Sequence, residues 1–389
     1  MGLLRLTKVT SLFITAIVFA YGCSGLRLDH PLRTRPEDWP TFGRTTSRSN
    51  TVNQLIIPPL SRVWDYDVSA GIANGAPIIA DSLVIVGTLR GELYAIRLAD
   101  GNRVGWISLG EAIHGTPVVE GGSGVIVPLS NSKESIVSYD MRNGVSLWKK
   151  ACGDVETSLL LLENSVYFGT TNGIFYCIDG SNGSQRWTFP LPANTRWKGI
   201  RSTPAGVKST VVFGADDGVL YALNATTGTP RWTYHTDSPI VAPPVIDSLH
   251  IVVGTVGGSV VALDPETGVL QWSSDVGSPV YAHALLLPRI VVITTTGGEL
   301  LGLAPTTGTQ LWKTTVGSPM VAGPAAAEST LFVGTLRKEF LAVRISDGTM
   351  LWKDTTDGRI KTSPVISNGM IVVATDNQTV LAYRGVSTR

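Results

Sequence analysis

The sequence predicts an all-β fold, an eight-bladed β-propeller of four-stranded antiparallel blades in which an N-terminal strand completes the last blade. Three observations predict it: a recurring motif, alternating β-branched runs, and a glycine inside every motif. The motif, typified by the segment from Ala262 to Trp272, returns about every forty residues. Its tryptophans stand at positions 64, 106, 148, 187, 232, 272, 312 and 352. An internal repeat of this period is typical of propellers and solenoids.

Each repeat contains the parts of a small antiparallel sheet. Short β-branched runs, such as those from Ser248 to Thr255 and from Gly258 to Asp264, predict strands. The glycine before each tryptophan supplies the positive φ of a tight hairpin, and the tryptophan ring is expected to pack between adjacent sheets. A looser copy from Ala95 to Trp106 is one residue longer. Four strands per repeat predict a propeller blade, and the lack of helical periodicity excludes a helical solenoid.

The number of repeats predicts how the ring closes. Strand ends of the Gly-Thr type recur eight times, from Gly87 to Ala374, which calls for eight blades over residues 60–385. The last repeat stops at Gly385 without a tryptophan strand, whereas Trp64 precedes the first repeat. The strand around Trp64 is therefore expected to complete the eighth blade and to remove a free sheet edge.

Composition narrows the classes of function. The chain has 43% hydrophobic residues, 16% charged residues and a net charge of +1, which gives no support for nucleic-acid binding. It contains 5 histidines and 3 cysteines, little material for a transition-metal site. Because the sequence also shows no nucleophile elbow, metal-spaced histidine cluster or phosphate loop, we expect no catalytic residues, no metal and no cofactor.

The N-terminal residues resemble an export signal. Residues 1–22 combine two cations with an apolar run too short to span a membrane, which predicts a signal peptide. Cys23 follows a lipobox-like Ala-Tyr-Gly and is the expected lipid anchor; the alternative is ordinary cleavage beside an incidental cysteine. Residues 23–59 are expected to form a flexible tether and N-terminal segment. The aromatic stretch from Asp38 to Gly43 is expected to pack on the propeller rim rather than to act as a binding motif.

The repeated motif resembles the tryptophan-docking motif of the quinoprotein (PQQ-dependent) dehydrogenases and their non-enzymatic relatives. With the signal peptide, the lipobox-like cysteine and eight blades, the chain is most similar to the BamB group. That resemblance implies a non-enzymatic, lipid-anchored scaffold on the periplasmic face of the outer membrane, a monomer within a complex that contains a barrel-assembly protein. The resemblance also leaves a free periplasmic or extracellular location open.

Two alternative functions remain at this point: a small quinoprotein-like oxidoreductase and an exported propeller that binds a ligand or polymer. The resemblance implies that an enzyme of this type would carry a vicinal cysteine pair and a calcium site. Cys23, Cys152 and Cys177 are far apart in sequence, and no cluster of acidic and amide residues offers the oxygen ligands that calcium requires. Cys152 and Cys177 are expected to form either a disulfide or two buried thiols.

The start of each innermost strand predicts a ring of residues around the central channel. This ring contains Asn74, His114, Glu156, Arg201, Val241, Tyr281, Val321 and Lys361. Its charged members fit a small anion or a peptide terminus, while solvated charges at a wet channel mouth need no ligand. Among the histidines, only His114 is expected at the channel.

The longest tryptophan interval, 45 residues between Trp187 and Trp232, predicts an extended loop over residues 188–202. Long loops on a rigid scaffold commonly carry function, and Trp and Arg are enriched at interface hot spots. The predicted partner-binding residues are Leu191, Arg196, Trp197 and Lys198. The alternative is that the loop folds back onto the rim.

Overall fold

The structure is a computed structural model that describes residues 25–122, 124–130, 133–193 and 197–386. Every regular element in these ranges is a β-strand, and none of the described residues form a helix that is long and apolar enough to cross a membrane. The predicted signal peptide at residues 1–22, the predicted lipid anchor Cys23 and the predicted partner-binding Arg196 lie outside the described residues.

Two strands precede the first complete blade, β1 (Thr51–Val52) and β2 (Ser61–Asp67). Blade 1 contains β3 (Ile78–Ala80), β4 (Leu83–Gly87), β5 (Glu92–Arg97) and β6 (Arg103–Ser108). Blade 2 contains β7 (Val118–Val119), β8 (Gly124–Pro128), β9 (Ile136–Asp140) and β10 (Val145–Lys150). Blade 3 contains β11 (Leu160–Leu162), β12 (Ser165–Gly169), β13 (Ile174–Asp179) and β14 (Gln185–Pro190). Blade 4 contains β15 (Ala205–Val207), β16 (Thr210–Gly214), β17 (Val219–Asn224) and β18 (Pro230–His235).

The second half repeats this plan. Blade 5 contains β19 (Val245–Ile246), β20 (Ile251–Gly254), β21 (Ser259–Leu263) and β22 (Leu270–Asp275). Blade 6 contains β23 (Leu285–Leu287), β24 (Ile290–Thr294), β25 (Glu299–Leu303) and β26 (Gln310–Thr315). Blade 7 contains β27 (Ala325–Ala327), β28 (Thr330–Gly334), β29 (Glu339–Arg344) and β30 (Met350–Thr355). Blade 8 contains β31 (Val365–Ser367), β32 (Met370–Ala374) and β33 (Thr379–Arg384).

The eight sheets confirm the predicted eight-bladed propeller. The first strands of neighbouring blades contact one another and therefore surround the axis. Blade 8 receives its outer strand from the other end of the chain: β2 pairs antiparallel with β33, from Ser61 opposite Arg384 to Asp67 opposite Thr379. The predicted closure by the N-terminal strand is thus confirmed.

The two ends of the propeller carry different turns. At one end, here called the cap face, the hairpins between the first and second strands lie beside those between the third and fourth, as when the Leu98 N–H donates to the Ser82 carbonyl. At the other, the open face, the hairpins between the second and third strands lie beside the connections between blades, as when the Leu109 N–H donates to the Gly91 carbonyl. Strands of about five residues separate the two faces by roughly 17 Å.

Residues 38–52 close the central channel at the cap face. Trp39 is buried and pairs with Ile79 of blade 1. Carbonyl groups beyond it accept backbone hydrogen bonds from the inner strands of blades 2, 4, 5 and 7; they belong to Pro40, Thr46, Ser47 and Asn50. β1 then adds to β27 as a parallel strand. The structure therefore replaces the expected flexible tether and rim contact with a packed cap, because this stretch supplies acceptors to strand ends that lack partners.

Trp352 of blade 7 packs edge-on against Tyr383 of blade 8. At six other junctions the predicted packing of a tryptophan between sheets comes with an indole hydrogen bond. At each of these six junctions, the indole N–H donates to a carbonyl in the hairpin between the third and fourth strands of the next blade. The tryptophans are Trp64, Trp148, Trp187, Trp232, Trp272 and Trp312. The hairpin glycine lies against the ring, so that a Cβ on Gly228 would lie 2.6 Å from Trp187 ring atoms. The glycine is required for its positive φ and for its lack of a side chain.

The junction between blades 1 and 2 is built differently. The extra residue of the first repeat places Gly105, instead of a tryptophan, opposite Ala95, and Trp106 moves to the other side of the strand, where it stacks on Tyr94. Leu26 fills the vacated space; it is fully buried, and its carbonyl accepts the Tyr139 hydroxyl at 2.8 Å.

The N-terminal segment also replaces the missing indole hydrogen bond. The backbone N–H of Leu28 donates at 2.6 Å to the Met141 carbonyl, which corresponds in the repeat to the carbonyls bound by tryptophan elsewhere. Leu32 joins Leu26 and Leu28 in the same hydrophobic cluster. Residues 26–32 are therefore held at the blade 1 to blade 2 junction on the cap face.

Candidate functional site

A cavity of about 350 Å³ opens on the open face along the propeller axis. All eight residues of the predicted channel ring line it: Asn74, His114, Glu156, Arg201, Val241, Tyr281, Val321 and Lys361. Phe42 of the cap forms part of the opposite wall, so the cavity is a pocket with a floor rather than an open channel. The repeat places one ring residue in each blade, in the connection that precedes the first strand.

The cations of the ring already have carboxylate partners. Arg201 pairs with Asp216 at 3.0 Å, and Lys361 pairs with Asp376 at 3.2 Å, where Arg359 also binds. Burial acts to raise the pKa of the Asp376 carboxyl, but the hydrogen bonds and charges of Arg359 and Lys361 outweigh it and lower the pKa. Because both ring cations are neutralised locally, the pocket offers less attraction to an anion than the sequence alone suggests.

A second layer of side chains lies below the ring and joins the blades. The hydroxyl of Thr116 accepts the Ala76 N–H, that of Ser158 accepts the Thr116 N–H, and that of Thr203 accepts the Ser158 N–H. Each of these three hydroxyls thus satisfies a buried backbone donor of the preceding blade. Their positions serve the packing of blades 1–4 rather than a reaction.

His283 also lines the pocket, although the sequence predicts only His114 there. It is 1% exposed, and its Nδ1 lies 3.0 Å from the Ala284 carbonyl. Because a carbonyl oxygen only accepts, Nδ1 carries the proton and Nε2 accepts the Ser363 hydroxyl at 2.9 Å. Burial, with the nearby charge of Arg48, lowers the pKa of His283 to about 4, so the ring is neutral at pH 7.

The surroundings of His283 explain why the sequence did not reveal its position. The imidazole of His283 extends from blade 6 past Gly323 of blade 7 to Ser363 of blade 8. A Cβ on Gly323 would collide with it. Phe42 meets the imidazole edge-on at 5.5 Å between ring centroids. One feature of the sequence could have revealed the position of His283. Blade 7 has Gly323 where blades 2, 3, 4 and 8 carry Thr or Ser, and this glycine leaves room for the imidazole.

Arg48 fixes the cap beneath the pocket. Its guanidinium is fully buried and donates to the carbonyls of Pro204, Leu159 and Phe42 and to the Thr41 hydroxyl. Burial lowers the pKa of Arg48 to about 9. The planar guanidinium can donate to several strand-end carbonyls at once. These hydrogen bonds offset the cost of burying the charge of Arg48.

The predicted partner-binding loop lies on the open face beside the pocket. Trp197 is 58% exposed and Lys198 is also exposed. Leu191 differs from the prediction: its side chain is buried in the cluster of blades 3 and 4, and its N–H donates to the Gly173 carbonyl. This anchoring removes Leu191 from the accessible surface, because the chain packs inward where it leaves blade 3.

Among the residues that the structure describes, no group of three or more His, Cys, Asp or Glu side chains could hold a metal ion. Cys152 and Cys177 are free buried thiols in separate hydrophobic clusters, so the disulfide alternative is wrong. Burial raises the pKa of each thiol to about 11, which makes both thiols unreactive.

Solved structures share this architecture. BamB from Moraxella catarrhalis superposes with a TM-score of 0.72 over 84% of this chain and 99% of its own, at 18% identity. The quinohemoprotein alcohol dehydrogenase from Comamonas testosteroni gives 0.76 over 91% of this chain and 82% of its own, at 14% identity. At these identities the likeness shows the fold alone.

Comparison of the sequences identifies the family in addition to the fold. The outer membrane protein assembly factor BamB of Legionella pneumophila (strain Paris) is 28% identical over 127 residues, which is 30% of this chain and 32% of the relative. The chain thus aligns with about a third of that relative's length. The family model described as outer membrane protein assembly factor BamB matches residues 49–189, 190–322 and 296–387. These matches cover most of the propeller, and the chain therefore belongs to the BamB family.

Proposed function

We propose that this protein is a non-enzymatic scaffold that binds protein partners at the periplasmic face of the outer membrane and assists the assembly of β-barrel proteins there. Membership of the BamB family is the observation that carries this proposal. The partner is a barrel-assembly protein of the envelope. Cys23, when lipidated after export, attaches the propeller to the membrane.

The open-face loop is the proposed site of partner contact. Trp197 presents a large, amphipathic side chain at the surface, and Lys198 adds a cation beside it. The buried Leu191 and the packed connection at Ile200 hold the two ends of the loop on blades 3 and 4. A rigid base under an exposed aromatic residue lowers the entropy cost of binding, which favours a hot spot.

The experiment that tests this proposal places a photoreactive amino acid at Trp197 in the native host. Irradiation followed by mass spectrometry is expected to capture an outer-membrane barrel-assembly protein. The matched control is the same substitution at Leu249, which is 63% exposed but lies in a cap-face hairpin. Capture of the same protein from both positions, or of no assembly protein from Trp197, would overturn the placement of the interface.

The oxidoreductase alternative shares the propeller with the dehydrogenase structures, but the described pocket offers neither a metal-binding cluster nor a reactive cysteine pair. The pocket gives more support to binding of a small ligand. Native mass spectrometry of the protein purified from its host distinguishes these alternatives, because a retained ligand or cofactor adds a defined mass.

A further inference from the structure

The packing of the N-terminal segment restricts where a membrane anchor can lie. Leu26 and Leu28 are buried at the blade 1 to blade 2 junction, and Cys23 precedes Leu26 by three residues. Three residues span at most about 10 Å even when fully extended. A lipid on Cys23 therefore leaves the protein close to the cap face at this junction.

We propose that the cap face around blades 1 and 2 rests on an anionic phospholipid surface, so that the axial pocket and the Trp197 loop point away from the membrane. This inference depends on the proposed membrane location and specifies its geometry. A long free tether would allow any orientation, whereas an anchor held within about 10 Å of one edge brings that edge to the bilayer.

Two arginines beside the anchor can bind lipid phosphates, and the exposed Asp29 in the same groove carries the opposite charge. The burial of the segment alternates, with Leu26 and Leu28 inside and Arg27 exposed between them. The Arg27 Nε donates to the Arg142 carbonyl, and both residues line a shallow groove with Leu28, Asp29 and Asn143. Arg33 is exposed further along the same segment. Cations held at the headgroup level bind lipid phosphates in addition to the attraction of the acyl chains.

The cap-face orientation also suits the proposed partner contact. The pocket is lined by connections between blades, and the Trp197 loop is one of these connections, so both lie on the open face. An anchor on the open face would press this loop against lipid. With the anchor on the cap face, the loop stays accessible to a protein that approaches from the periplasm.

The orientation can be measured with paired fluorescent probes on the full-length protein in host outer membranes. One variant carries a labelled cysteine at Asn143, on the cap face of blade 2, and the other at Arg90, in an open-face hairpin of blade 1. Both positions are exposed, whereas Cys152 and Cys177 are buried and remain unlabelled in the folded protein. Lipids with a headgroup quencher are expected to quench the probe at 143 strongly and the probe at 90 weakly.

Equal quenching at the two positions, or stronger quenching at 90, in membrane-bound protein would overturn the orientation while leaving the membrane location intact. Recovery of the protein in the soluble fraction would instead show that the location itself is wrong, and the orientation with it. The variant Cys23→Ala identifies this outcome, because loss of the acyl anchor should lower the membrane-bound fraction of a lipidated protein and leave that of an unlipidated protein unchanged.

A charge test probes the lipid surface independently of the anchor. The double variant Arg27→Glu and Arg142→Glu should weaken binding of the Cys23→Ala protein to vesicles of phosphatidylethanolamine and phosphatidylglycerol by at least about fivefold per arginine. The same change at Arg90 and Arg337, on the open face, is the matched control and should have little effect. If the Arg90 and Arg337 pair lost as much vesicle affinity as the Arg27 and Arg142 pair, the attraction would be nonspecific and the cap-face assignment would be overturned.

Discussion

Replacement of one hairpin glycine should show how strongly the blades depend on the docked tryptophans. Gly228 has a φ of +72° and lies under the Trp187 ring, where a Cβ would approach ring atoms to 2.6 Å. Gly144 has nearly the same φ, +74°, but the nearest atom to its Cβ would lie at 3.6 Å. The two glycines therefore share the backbone requirement and differ in the contact with a tryptophan.

The free energy of unfolding should fall by different amounts in the two variants. Gly144→Ala adds only the strain of a left-handed alanine, about 1 kcal/mol after the smaller entropy of its unfolded chain is included. Gly228→Ala adds a collision that costs a further 1–3 kcal/mol or so. Displacement of the ring also strains the 3.0 Å hydrogen bond from the Trp187 indole to the Ala225 carbonyl. The expected total for Gly228→Ala is about 2–4 kcal/mol.

Urea unfolding followed by fluorescence and circular dichroism measures this difference, provided that both signals give the same midpoint. A double variant with Trp187→Leu isolates the collision, since Gly228→Ala should then cost about as little as Gly144→Ala. Equal destabilisation by Gly144→Ala and Gly228→Ala in the native background would refute the reasoning, because it would mean that the ring contact adds nothing.

Three further predictions concern buried polar groups. Arg48→Met should lower the free energy of unfolding by about 3 kcal/mol in urea unfolding, since several buried carbonyls lose their donor; an unchanged midpoint would show that the cap does not depend on it. The pKa of His283 is about 4 in the folded protein and 6.5 for an ordinary histidine. The contribution of the neutral imidazole to the free energy of unfolding is therefore complete above pH 6.5 and is lost as the pH falls to 4. The native protein should therefore lose about 3 kcal/mol more than His283→Asn between pH 7 and pH 4, and parallel stability curves would contradict this. Cys152 and Cys177 should react with a maleimide only after unfolding, as judged by intact mass; rapid labelling of the native protein would contradict their burial.

The sequence predicts most of the propeller because each blade repeats the same local constraints. The hairpin glycines, the β-branched runs and the missing last strand determine the number of blades and the pairing of β2 with β33. The eight ring residues follow from aligning the repeats, since one position in each unit precedes the innermost strand. These features depend on contacts within a blade or between equivalent positions of neighbouring blades.

The N-terminal segment could not be predicted in the same way, because no repeat constrains it. Its path depends on acceptors and spaces left at strand ends, such as the Met141 carbonyl bound by Leu28. One signal was available: the extra residue before Trp106 turns that tryptophan away from its usual position and leaves a space at one junction. The inward packing of Leu191 likewise depends on the fit between blades 3 and 4 rather than on loop length.

The most direct test of the proposed scaffold measures barrel assembly in cells. Pulse-labelled outer-membrane barrel proteins should fold more slowly in a host that lacks this protein, and the native chain should restore the rate. A chain with Trp197→Ala and Lys198→Glu should restore it poorly although it folds and reaches the membrane, whereas the open-face control Arg337→Glu should restore it fully. Normal barrel assembly without the protein, in a host with no second copy, would contradict the proposed function.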